Sequence, residues 1–269
     1  MLITIGLFAP VVQTLNAANV NGLVFAGQAG ALALAARGRF RLAAIPFGLS
    51  LAIKPVLLPL LPLLAVARQW VAAAVALAVP LVLSAPALLV ARDAGRYLGR
   101  VVPCPRGSFM PENVALAGAA GYLRMPALGP PLRLTVAFIA LWAAWRLWRR
   151  RHPEPAVALA EVTGCALVSA FLLSCFAWPY FGLYLLPTLA AVVRPGAAVR
   201  RWPALLAAYA IGGPDIRLWL MAGQIGDTLV HLRVTAGFLI LLVVLGLGPT
   251  RATGEAASGV AGDPRPVTP

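Results

Sequence analysis

Acidic residues and lysines are nearly missing from this chain of 269 residues, which carries eight carboxylates and a single lysine, Lys54. Charged side chains of every kind make up only 11%, against about 25% in a soluble domain. So little charge excludes a water-facing globular surface and, with it, a soluble enzyme. The two histidines and three cysteines show no metal-ligand spacing, so no metal and no cofactor is expected. Cys165 and Cys175 lie in an apolar run and read as small core hydrophobes, not as disulfide partners.

Apolar residues are what the chain has in excess, at 61% with a mean hydropathy of +0.88. The pattern predicts an all-α, polytopic transmembrane bundle over residues 1–249. A Gly-, Ala-, Pro- and Thr-rich tail, 250–269, reads as disordered and cytoplasmic. The net charge of +14 comes from arginines set in short blocks between apolar runs, where the positive-inside rule places them. That distribution argues against nucleic-acid binding. Residues 2–12 are apolar but too short to span, and read as the end of a helix that begins earlier.

Sidedness follows from counting passes. The arginine blocks at 37–41, 68, 146–151, 194–201 and 251 all fall on the cytoplasmic side if the run 42–67 breaks at Lys54-Pro55 and returns to the side it entered from. A single span there inverts every later block. Proline favours the break, because it removes a donor and clashes with the preceding turn. A kinked single span is the alternative. The broken hairpin leaves four polar patches outside, at 13–21, 92–131, 178–180 and 214–228, and a site on the extracytoplasmic face. No second broken hairpin and no internal repeat is read.

Lys54 is the sharpest signal. A lone lysine between apolar helices is costly unless it snorkels, pairs or meets a ligand. Freed helix-end amides at the break suit an anion such as a lipid phosphate; pairing with an aspartate is the competing reading. Asn19 and Asn21, in NAANVNG, offer mixed donors and acceptors for a hydroxylated ligand, or cap a helix. Arg92, Arg96 and Arg100 fall at helical spacing in the long outer loop, as a phosphate-contacting or a solvated face. Pro111 is expected to open a helix with Glu112 and Asn113 in its first turn. Trp178, Pro179 and Tyr180 form an outward turn, either an interfacial belt or a stacking platform; Trp142, Trp145 and Trp148 read as a belt. Glu161 is placed to pair with an arginine near the cytoplasmic end. Asp215 either pairs with Arg217 or acts on a bound hydroxyl.

The stretch RGRFRLAAIPFGLSLAIKPVLLPLLPLLAVARQW resembles the signature of the GT-C-type, polyprenol-phosphate-sugar-dependent glycosyltransferases of family 87. NVNGL, PENVALAG and FAWPYFGLYLLP add to the resemblance, which covers about 240 residues. The last third, through RRWPALLAAYAIGGPDIRLW, looks most like the α-(1→3)-arabinofuranosyltransferase branch. The resemblance implies a cell-membrane transferase moving arabinofuranose, or next mannose, from a polyprenyl-phospho-sugar donor lipid to an extracytoplasmic glycan acceptor. That acceptor is an arabinan or lipoglycan of the cell wall, and membrane lipids surround the enzyme.

In such enzymes an acceptor hydroxyl attacks the anomeric carbon, a carboxylate takes its proton, and cations and amides stabilise the departing phosphate. The resemblance assigns Lys54 and Arg96 to the phosphate, and Asn19, Asn21, Asn113 and Tyr180 to the sugars. It leaves Glu112 and Asp215 as the carboxylates. The family keeps its catalytic aspartate in the first outer loop, whereas no acid here precedes Asp93. The expectation is therefore an N-terminally truncated module, through a gene-model error, separate coding of the front half or degeneration, with little turnover alone. A non-catalytic membrane subunit and a lipid or solute transporter are the other classes.

Overall fold

The computed structural model describes residues 8–90, 113–150, 152, 154–213 and 224–248. Every element among them is helical. In chain order these are α1 (Ala9–Asn16), α2 (Asn21–Ala36), α3 (Phe40–Ile53), α4 (Leu61–Val66), α5 (Trp70–Val90) and α6 (Leu116–Tyr122). They continue with α7 (Gly129–Arg149), α8 (Pro155–Leu173), α9 (Leu186–Ala190), α10 (Trp202–Gly212) and α11 (Gln224–Leu247). Three stretches, Pro126–Arg149, Pro155–Leu173 and Thr228–Leu247, are long and apolar enough to cross a membrane, and shorter apolar helices pack among them. The architecture is an all-α bundle with the composition of a polytopic membrane protein.

Helix α8 is the hub. Its apolar residues, with Leu167 and Leu172 fully buried, pack against α2, α7 and α11 and against the turns at Pro55–Leu60. Helix α7, by contrast, turns Leu134, Phe138 and Leu141 outward, as a lipid-facing helix does. Trp145 and Trp148 are exposed near its end, with the Arg149 guanidinium 4.6 Å from the Trp145 ring, in keeping with an interfacial belt.

The run 42–67 does break. Pro55 disfavours helical backbone in the residue before it, and Lys54 is extended at φ −156°, ψ 121°, ending α3 at Ile53. Pro55 and Pro59 then hold residues 55–60 in tight turns before α4 begins. The chain folds back: Leu60, Leu63, Leu64 and Ala67 share one small apolar cavity with Phe47, Ala44, Ala43, Phe40 and Ala35. Residues 37–41 and Arg68 therefore lie at the same end of the bundle. Arg150 and residues 194–201 belong to that end too, because Leu159 lines the same cavity, Ala198 meets Glu161 and Arg150 meets Leu245. Lys54, Asn113, Cys175 and Trp178 gather at the opposite end.

Two expectations need correction. Asn113 to Ala115 are not helical and the described outer-loop helix begins at Leu116, so Asn113 is not in its first turn; Pro111 and Glu112 lie outside the described residues. The descent after Trp178 consists of tight turns at Pro179–Leu185, then α9, then a further turn. This makes a second proline-broken pass, contrary to the single one expected. The two resemble each other: LLPLLAVARQW (60–70) runs from the Lys54 end to an Arg and Trp before an ascending helix, as LLPTLAAVVR (185–194) followed by RRW (200–202) does.

Candidate functional site

The two broken passes meet at Lys54. Its ammonium donates to Asn21 Oδ1 at 2.9 Å and lies 5.2 Å from the ring centroids of both Tyr180 and Phe181. Asn21 is fully buried at the first turn of α2, and its backbone N–H is taken by Asn19 Oδ1 at 3.1 Å. The Tyr184 hydroxyl donates to the same Asn21 oxygen at 2.8 Å. Tyr180 stacks on Trp178 with ring centroids 5.4 Å apart and an interplanar angle of 12°. Phe181 packs against Phe171 and Tyr184. The aromatic turn thus seats the Lys54 ammonium.

No carboxylate among the described residues pairs with Lys54. Glu154 and Glu161, the acids with described side chains, both lie at the arginine end. There Glu154 pairs with Arg194 at 3.5 Å, and Glu161 is buried with Oε1 accepting the Ala198 N–H at 2.6 Å. Glu161 is also within electrostatic reach of Arg150, in line with the expected arginine partner, but its direct hydrogen bond is to the backbone. Arg150 donates to the carbonyls of Leu245 and Gly246 and so caps α11. Burial holds its guanidinium below the ordinary value; Arg146 and Arg201 add to the effect and Glu161 opposes it.

Of the residues singled out in the sequence, Lys54, Asn21, Asn19 and Tyr180 come together. Asn113 serves the backbone: Oδ1 accepts from Ala115 and Ala177 at 3.0 Å each, and Nδ2 donates to Cys175 O at 2.9 Å. It clamps the start of α6 to the 175–177 turn. Arg96, Glu112 and Asp215 lie outside the described residues. Cys165 is free and buried in the apolar core, as expected, whereas Cys175 is disulfide-bonded, which corrects the reading of it as a core hydrophobe. Among the described residues no group of His, Cys, Asp and Glu is placed to hold a metal.

Sequence reasoning missed Tyr184, Phe181 and Gln28. Tyr184 is held at both ends, since its backbone carbonyl accepts from buried Gln28 Nε2 at 2.9 Å. The available signal was spacing: Asn21 and Gln28 are seven apart on one face of α2. An apolar groove of about 730 Å³ runs beside the site. It lies between α2 (Phe25, Ala29, Leu32), α9 (Leu186, Leu189) and α10 (Tyr209). The same two segments that supply Asn21 and Tyr184 thus supply its walls.

Residues 1–175 match glycosyltransferase family 87, and the chain belongs to that family. It is similar to an α-(1→3)-arabinofuranosyltransferase of Mycobacterium tuberculosis (strain H37Rv), at 32% identity over 204 residues, 74% of this chain and 47% of the relative. A protein of the same name from Mycolicibacterium smegmatis is 31% identical over 242 residues, 87% of this chain and 56% of the relative. One from Corynebacterium glutamicum is 27% identical over 261 residues, covering 94% and 62%. The chain spans about half the length of the first of these relatives. No solved structure matches it.

Proposed function

We infer that the Lys54 end binds the phosphate of a polyprenyl-phospho-sugar outside the membrane, in a GT-C-type transferase. The sugar passes to a cell-wall or lipoglycan hydroxyl. One observation carries this reading: an ammonium at a helix break that, among the described residues, meets an amide oxygen and two aromatic faces and no carboxylate. A purely structural lysine in an apolar bundle costs about 2.5–3.5 kcal/mol and is normally offset by a carboxylate. Here the charge is left available to an anion. The adjacent groove has the volume and apolar lining for part of an isoprenoid chain, and the relatives' name makes arabinofuranose the favoured sugar.

Two independent features support the outward orientation. Arginine blocks cluster at the far end, where the positive-inside rule puts the cytoplasm. Cys175, at the Lys54 end, is disulfide-bonded, and disulfides persist in oxidising compartments.

In the reaction, the acceptor oxygen bonds to the anomeric carbon as the bond to the phosphate oxygen breaks. The hydroxyl proton goes to a carboxylate, and the electron pair leaves on the polyprenyl phosphate. Inversion needs opposed attack and departure but no protein nucleophile. Lys54 stabilises the charge gathering on the phosphate. Glu112 and Asp215 are the carboxylates proposed to take the proton. The test is transfer of labelled arabinose from polyprenyl-phosphoarabinose to an oligoarabinoside in nanodiscs, with Glu112→Gln and Asp215→Asn as variants. Loss in one variant identifies the base. Failure of the wild-type chain to bind the donor more tightly than the free polyprenol removes the reading.

A further inference from the structure

We propose that Asn21 and Tyr184 form an uncharged cradle that fixes the Lys54 ammonium without cancelling its charge. Tyr184 acts as a positioning residue, and the neutrality of Asn21 selects an anionic headgroup. The proposal rests on the phosphate reading of the Lys54 end and deepens it.

The cradle's orientation follows from donor counting. An ammonium only donates, so the Asn21 atom 2.9 Å from Lys54 Nζ must be the amide oxygen. The Tyr184 hydroxyl donates to that oxygen as well, at 2.8 Å. Two donors on one acceptor lock the amide against rotation. Its Nδ2 is left buried and without a partner among the described residues. A buried amide donor left unmade costs about 1–3 kcal/mol, so this orientation persists because Lys54 and Tyr184 impose it. Tyr184 is in turn immobilised: it is fully buried, and Gln28 Nε2 grips its carbonyl at 2.9 Å two helical turns along α2. The stem of Lys54 is fixed through α3, where Ser50 Oγ donates to Val24 O at 3.2 Å and to Pro46 O at 2.9 Å.

Chemistry explains why an amide stands where a carboxylate would bond the ammonium more strongly. An aspartate at 21 would form an ion pair with Lys54, and the pair would present no net charge to a ligand. The amide supplies the hydrogen bond and leaves the unit charge. The rings of Tyr180 and Phe181 act in the same sense, since their faces attract a cation without neutralising it.

The experiment compares farnesyl phosphate with farnesol as ligands of the full chain in phosphatidylcholine nanodiscs, so that the ratio of affinities reports the headgroup alone. Wild type prefers the phosphate. Tyr184→Phe lowers farnesyl phosphate affinity about tenfold, the worth of one hydrogen bond, and leaves farnesol unchanged. Asn21→Asp, equal in size, abolishes the preference. A merely structural role for either residue would weaken both ligands together. If Asn21→Asp does not fold, Tyr184→Phe decides. If both variants keep the wild-type ratio while Lys54→Ala loses it, the cradle is wrong and the phosphate site stands. If wild type binds both ligands equally, the phosphate reading falls and the cradle with it.

Discussion

Lys54 and Asn113 contrast a residue proposed to meet a ligand with one bonded to backbone groups. Asn113 spends its amide on three backbone groups, so Asn113→Ala strands two N–H donors and one carbonyl, at about 1–3 kcal/mol each. A lowered unfolding temperature in detergent is expected, with farnesyl phosphate affinity unchanged in the folded fraction. Lys54→Ala should do the reverse, cutting farnesyl phosphate binding about tenfold or more with little loss of folded protein. Lys54→Arg should recover only part, because a planar fork does not fit a seat built from one oxygen and two ring faces. A large loss of folded protein with unchanged lipid binding would make Lys54 structural. Lys54 was legible in the sequence because a lone lysine before proline in an apolar run has few explanations. Tyr184 was not, since its meaning comes from an asparagine 163 residues away. The uncharged partners of Lys54 among the described residues were equally invisible, because a run of residues does not show which of them fold together.

Helices α2 and α3 show how an element fixes a side chain. Gly27 lets them approach so closely that a Cβ there would lie 2.8 Å from Pro46 O and press on Ser50. Gly27→Ala should therefore force the pair apart, costing about 1–3 kcal/mol by overpacking. It should also carry Asn21 away from Lys54, with lost preference for farnesyl phosphate over farnesol as the readout. Wild-type preference in that variant would show that the interhelix distance does not set the site. The break between α3 and the turns at Pro55–Leu60 was readable, because proline restricts both itself and the residue before it. The start of α6 was not. Pro111 and Glu112 have the chemistry of a helix N-terminus, but Asn113 is recruited by the 175–177 turn and the helix is delayed to Leu116. The second broken pass was missed because Pro179 and Pro187 sit in an apolar stretch whose composition is equally that of a short helix.

At the scale of the whole molecule, composition alone fixed the class, and the two ends of the bundle follow from where the arginine blocks cluster. The orientation is testable with a membrane-impermeant maleimide on intact cells: Met125→Cys should label from outside and Arg37→Cys only after the membrane is opened. The opposite pattern would put the Lys54 end in the cytoplasm. The proposed lipid-phosphate site predicts that the lipid tail occupies the apolar groove walled by α2, α9 and α10. The most direct test is photo-crosslinking with a farnesyl phosphate that carries a reactive group on its tail, mapped by mass spectrometry. Adducts should concentrate on Phe25, Leu186–Ala190 and Tyr209, and polyprenyl phosphate should compete them away where the free polyprenol does not. Adducts spread over the lipid-facing side chains of α5 and α7, or equal competition by both lipids, would contradict the account.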